Sequence, residues 1–263
     1  MVFSHESFSQ KFRNGVDEFG IMIGGSNYFG DIAPEIKFKE THLALGFLYK
    51  HHHSSYFSSR YQFAYARISG DDKNFTSNAY RNINFYSDIF ELGYNLEFNF
   101  LPYGINVHEK DKSPFISLGL NMFLFNPKTK LPSGDPVSLR KFGTEGQHVN
   151  NKRKYALIQP NINLGLGYKI GFSKRFNMAV EVGFRKTFTD YLDDTKDNYP
   201  SYTMLLAKQG VTAAELSQPQ TTVNNQIIEA NTMRGDKHLK DWYFIMGITL
   251  SYRIVTTFCN KPF

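Results

Sequence analysis

Residues 241 to 254 read DWYFIMGITLSYRI. Taken alternately, they separate into Trp242, Phe244, Met246, Ile248, Leu250, Tyr252 and Ile254 on one side, and Tyr243, Ile245, Gly247, Thr249, Ser251 and Arg253 on the other. The first row is bulky and oily, and the second reads as the small, polar one. A period of two assigns the segment to a strand whose faces meet different surroundings. The fold turns on which face meets water.

The same alternation recurs near 18–29, 42–50, 57–68, 86–100, 115–126, 156–171, 176–190 and 241–255, which predicts eight strands. Eight is an allowed number for a closed barrel. The polar rows are rich in glycine, including Gly20, Gly24, Gly46, Gly93, Gly119, Gly165, Gly167, Gly183 and Gly247, together with Asn95, Asn99, Asn121, Asn161 and Asn163. Glycine weakens a solvated strand but suits a crowded place, and the lumen of an eight-stranded barrel is just wide enough to be filled by side chains. The oily rows, such as Phe90, Leu92, Tyr94, Leu96, Phe98 and Phe100, would overfill that lumen. They are expected to face lipid, where each apolar side chain contributes roughly 1.5–3 kcal/mol. The predicted class is therefore all-β: an eight-stranded antiparallel transmembrane up-and-down barrel of the outer membrane.

Connection lengths support this independently. Links 51–56 and 173–175 are short and 101–114 is intermediate, whereas 30–41, 69–85, 127–155 and 191–240 are long. Outer-membrane barrels place short turns in the periplasm and long loops outside, so both termini are expected on the periplasmic side. One domain over 1–263 is expected, with an N-terminal arm (1–17), a long loop (191–240) holding a short helix within MLLAKQGVTAAELSQ, and a short tail (256–263).

Composition narrows the classes further. Among the 263 residues no apolar run approaches the roughly 18 needed for a spanning helix. A mean hydropathy of -0.40 does not exclude a barrel, because half of each strand is polar. Aromatic residues make up 16%, in clusters near the ends of the oily rows, as suits membrane interfaces. The net charge of +6 fits anionic lipid headgroups or lipopolysaccharide phosphates; no nucleic-acid-binding signature accompanies it. Met1 to Phe12 lacks the basic and apolar regions of a secretory signal, so an exported protein of this sequence is expected to be a processed or rebuilt form. The single cysteine, Cys259, excludes an internal disulfide and suggests an intermolecular bridge or a free thiol.

Charges also occur in the polar rows: Lys50, Arg60, Glu91, Glu97, Lys169, Glu181, Arg185 and Arg253. Inside a narrow barrel they must be paired and hydrogen-bonded. They form either a structural plug or an ion pathway, and a filled lumen favours the plug. Lys186 falls on the lipid row close to the outer rim. His51, His52 and His53 diverge to opposite faces and predict a polar turn, not a metal site. Asp190, Asp193, Asp194 and Asp197 lack EF-hand spacing and predict a solvated acidic loop. His42 lies beside Thr41 near the outer rim, where lipid editing would need a serine with a histidine base, but no nucleophile signature accompanies it. No catalytic residue, cofactor or metal is expected.

The runs GIMIGGSNYFGDI (20–32), YARISGDDK (65–73), FELGYNLEFNFLPYG (90–104), LFNPKTK (124–130), FGTEGQ (142–147), SKRFNMAVEVGFRKTFTDYLDD (173–194) and DWYFIMGITLSYRI resemble the PorG family, the outer-membrane barrels of the type IX secretion system of Bacteroidota. The resemblance spans nearly the whole chain. It implies a non-enzymatic component tied on its periplasmic side to a lipoprotein ring of PorK and PorN, and it carries no residue-level map of the contact. Bottom-up, the turn 101–113 and the tail are longer than barrel closure demands and are expected to dock the ring; with the short 172–175 turn they give Tyr103, Asn106, His108, Lys174, Arg175, Phe258 and Phe263 as the candidate partner surface, and Cys259 as a possible intermolecular bridge or partner contact. A lipid-modifying barrel enzyme and a narrow passive pore are the competing functions, and a soluble ligand-carrying barrel ranks last.

Overall fold

A computed structural model describes residues 15–75, 78–104, 112–147, 149, 153–173, 175–224, 226–237 and 240–256. Eight long strands form the wall: β1 (Gly15–Phe29), β2 (His42–His52), β3 (Phe57–Asp71), β4 (Asn84–Asn99), β5 (Lys112–Leu124), β8 (Ile158–Gly171), β9 (Phe176–Thr187) and β10 (Trp242–Thr256). Two short strands, β6 (Lys128–Lys130) and β7 (Pro136–Ser138), extend the sheet above β4. Each wall strand pairs antiparallel with the next, β3–β4 included, and β1 pairs with β10 from Gly15↔Thr256 to Phe29↔Trp242. The sheet is thus a closed up-and-down barrel, as the alternation predicts.

The oily rows face outward. Ile23, Phe47, Leu92 and Leu120 are 61–70% exposed, whereas Asn95, Glu97 and Asn163 on the opposite rows are fully buried. Rings group toward both ends of this wall: Phe19, Tyr49, Tyr61 and Tyr94 toward the short turns, and Tyr65, Phe90, Phe184, Trp242 and Phe244 toward the long loops. An apolar band between aromatic girdles around a polar interior is the architecture of an outer-membrane barrel. Among the described residues no helix is long and apolar enough to cross a membrane.

Crowding explains the inward glycines. A Cβ on Gly93 would stand 1.7 Å from Asn121 Oδ1, and one on Gly119 would stand 2.1 Å from Asn95 Oδ1. Gly24 faces Gly247 across the β1–β10 seam, where a Cβ would meet the Met246 carbonyl oxygen at 2.0 Å.

The lumen differs from expectation in having two tiers. Its turn-side part is polar, but its loop-side part is an apolar core of Ile68, Phe85, Ile89, Phe123, Phe125, Tyr243 and Ile245. Tyr243 and Ile245 therefore belong to the inner row without being small. Alanines at 44, 64 and 66 join the same cluster and leave them the space.

Boundaries also shift. β1 starts at Gly15, so only residues 1–14 of the expected arm fall outside the described residues, and β9 stops at Thr187. The expected loop 127–155 contains the β6–β7 hairpin, turned at Gly134 with φ 91°, and a short helix α1 (Leu139–Phe142). The expected helix in the last loop is two helices, α2 (Tyr202–Gln209) and α3 (Val211–Ser217), broken at Gly210 with φ 88°, followed by a turn of helix α4 (Thr221–Asn224). Ser201 caps α2 by accepting a hydrogen bond from the Met204 amide.

Candidate functional site

The polar tier is organised around one carboxylate. Glu97 on β4 accepts a hydrogen bond from Lys169 on β8 and forms ion pairs with Lys50 on β2 at 3.0 Å and with Arg60 on β3 at 2.8 Å. All four side chains are at most 4% exposed. Arg60 also forks onto Glu181 with contacts of 2.5 and 2.9 Å, and Ser117 donates to the same carboxylate at 3.1 Å. Such bidentate, charge-assisted pairs offset much of the cost of burying ions. Higher in the lumen, Glu91 lies 3.5 Å from Arg185 Nε and accepts from Tyr243 at 2.5 Å and Asn161 at 3.0 Å.

The eight expected network residues are thus all inside the barrel, but they do not form a single cluster. Arg253 pairs with no carboxylate among the described contacts. It donates to Asn177 at 3.0 Å and lies 5.1 Å from the centre of the Tyr103 ring. Glu18 is a member that sequence reasoning missed. It lies 3.8 Å from Lys50, accepts from His52 at 3.0 Å and from Ser251 at 2.6 Å, and is 3% exposed. Its inward place follows from the parity of Gly20 and Gly24 on the same strand. A cavity of about 20 Å³ beside Arg60, Gln62 and Glu181 has room for little more than one water. The tier is a plug.

Of the candidate partner surface, Arg175 is exposed on the β8–β9 turn. Tyr103 is not a surface residue: it is 2% exposed and folds under the barrel mouth, between the cations of Lys169 and Arg253. Asn106, His108, Lys174, Phe258, Cys259 and Phe263 lie outside the described residues. Of the three histidines only His52 turns inward, to Glu18; His51 and His53 share the outer face with ring centres 5.0 Å apart, His51 meeting Asp17 at 2.7 Å and His53 meeting Ser59 at 2.6 Å. Lys186 stays on the lipid row with its ammonium 5.1 Å from the Trp242 ring.

The acidic loop corrects another expectation. Asp190, Asp193 and Asp194 are at most 1% exposed, so the segment is a buried polar core and not solvated. The hydroxyl of Tyr28 lies 2.8 Å from both Asp193 Oδ2 and Asp241 Oδ1. One phenol proton cannot serve two carboxylates, so one carboxyl carries a proton and donates to the phenol oxygen. In keeping with this, burial and the neighbouring acids raise Asp193 well above the usual carboxylate range, and burial raises Asp241 likewise. Burial also pushes Asp31 and Asp194 up to about 6. Arg81 donates to Asp72 at 2.7 Å and to the carbonyls of Asp31 and Arg234, and Arg234 donates to Glu145 at 3.1 Å. These bonds tie all four long loops into one cap.

Near the loop-side rim His42 Nε2 lies 2.7 Å from Ser69 Oγ, a contact between residues 27 apart in sequence. The Ser69 hydroxyl donates to Glu40, so the order is acid, serine, histidine. A histidine base must instead accept the serine proton and be held by the acid. The trio links the β1–β2 loop to β3.

Three solved structures of similar shape are the attachment invasion locus protein Ail of Yersinia pestis (10% identity, 92% of this chain and 100% of that one, TM-score 0.45), Neisserial surface protein A (7%, 91% and 96%, 0.39) and OprG of Pseudomonas aeruginosa (12%, 92% and 95%, 0.36). No curated protein sequence matches the chain significantly. A family model described as "Domain of unknown function (DUF6089)" matches residues 2–209, most of the barrel, and the chain belongs to that family.

Proposed function

We propose that this barrel is a non-enzymatic outer-membrane component of type IX protein secretion that anchors a periplasmic ring of the PorK/PorN type. The observation that carries the reading is the filled lumen. A charged tier centred on Glu97 and an apolar tier around Phe123 and Tyr243 occupy the barrel's length, so the fold serves as a fixture in the membrane and not as a conduit. The motifs RKTFTDYLDD and DWYFIMGITLSYRI supply the likeness to PorG. In this reading the short turns and chain ends face the periplasm, and the loop cap faces outside. Arg175 then stands at the periplasmic rim, where ring and lipid meet. Affinity capture of the tagged barrel from mildly solubilised membranes is expected to bring down the ring proteins. Capture of the barrel free of them, from cells that make the ring, would remove the anchoring role.

A further inference from the structure

On the lipid-facing wall near the short turns, Ile21, Phe47, Leu250 and Phe172 are among the residues that border a groove of about 600 Å³. That volume lies within the roughly 300–1,000 Å³ of ligand sites. The groove runs over β1 between the side chains of β2 and β10, in the band that touches hydrocarbon. Two of its residues, Tyr49 and Tyr252, end in hydroxyls held by opposite charges. Tyr49 donates to Asp17 Oδ1 at 2.9 Å, the oxygen that also meets His51, so that Oδ2 is the carboxylate oxygen outside both contacts, and Tyr252 accepts from Arg175 at 3.2 Å. The mouth of an apolar groove is therefore flanked by one anion and one cation.

We propose that the groove holds one glycerophospholipid whose headgroup carries both a phosphate and a primary ammonium. The acyl chain lies along the oily floor, the phosphate accepts from Arg175, and the ammonium donates to Asp17. Arg175 immediately precedes β9, two strands from Asp17 on β1, which places their main chains roughly 10 Å apart at the usual inter-strand spacing. A phosphate-to-ammonium headgroup with a hydrogen bond at each end spans such a gap. The main chain that carries the cation is held as well: the Arg175 carbonyl accepts from the Arg253 amide at 2.7 Å, and Phe172 and Phe176 close the turn with a 3.0 Å bond. This site depends on the membrane-spanning fold and not on the anchoring role.

Native mass spectrometry of the purified full-length barrel, loaded with defined lipids, tests it. A phosphatidylethanolamine is expected to remain as a single bound lipid under conditions that strip a phosphatidylglycerol of the same chains. Arg175→Ala and Asp17→Asn are each expected to lower its retention about tenfold, the effect of one charge-assisted hydrogen bond, and Asp17→Asn should also erase the preference over phosphatidylglycerol. Lys186→Ala, at the far rim, serves as the unaffected control, and heat-modifiable migration on gels confirms that each variant is folded. Retention indifferent to headgroup, folded variants that keep the lipid, or no lipid retained at all would each overturn the site.

Discussion

Glu97 shows how much one buried group can hold. Three cations from three strands, Lys50, Arg60 and Lys169, converge on its carboxylate. Removing its charge leaves Lys169 without its carboxylate, while Arg60 keeps Glu181 and Lys50 keeps Glu18, and breaking such a buried pair costs about 3–5 kcal/mol. Glu97→Gln should therefore lower the unfolding free energy of the detergent-solubilised barrel by that margin and move its urea midpoint down, and adding Lys169→Met should recover part of the loss. An unchanged midpoint would mean that the network contributes nothing to closure. The eight charges were readable in the sequence because each sits in phase with a glycine or asparagine. Their partners were not, because pairing depends on how neighbouring strands register around the wall, and one sequence does not state that. Glu18 was in phase as well, but its place beside the expected N-terminal arm masked it.

At the level of elements, all eight wall strands were legible from the two-residue period, since parity survives any error of a few residues at strand ends. The loop cap was not legible. DYLDDTKDNY reads as solvated because four acids in a loop ordinarily are, and only Tyr28, Arg81 and Arg234, distant in sequence, make its burial tolerable. That cap should respond to pH. A carboxyl whose pKa is raised in the folded state binds its proton more tightly there than in the open chain. Its stabilising contribution is thus complete below the ordinary aspartate value of 3.8 and is lost as pH rises through about 6 for Asp31 and Asp194. Asp193 and Asp241, also raised well above the ordinary range, act in the same direction. Hydrogen exchange of the cap amides, corrected for intrinsic rate, should show more opening at pH 8 than at pH 5, with the wall strands unaffected. Asp193→Asn should flatten that dependence, and a cap equally protected at both pH values would contradict the shared proton.

For the molecule as a whole, the decisive claim is that hydrocarbon covers the oily rows. The only tryptophan, Trp242, reports on it, since it lies on the outer row at the loop-side rim and is 37% exposed. In vesicles its emission should be quenched more by lipids brominated near the headgroup than by those brominated near the chain ends, and little by acrylamide. Strong acrylamide quenching would place the wall in water. The β1–β10 seam carries a different consequence. Because the first wall strand hydrogen-bonds to the last, from Gly15↔Thr256 to Phe29↔Trp242, the cylinder cannot shut until the chain has been made as far as the last wall strand. Until then both margins of the sheet are unpaired and sticky. Closure of the wall thus waits on a contact between residues about 230 positions apart in the chain, so the last joint to zip is also the most distant in sequence.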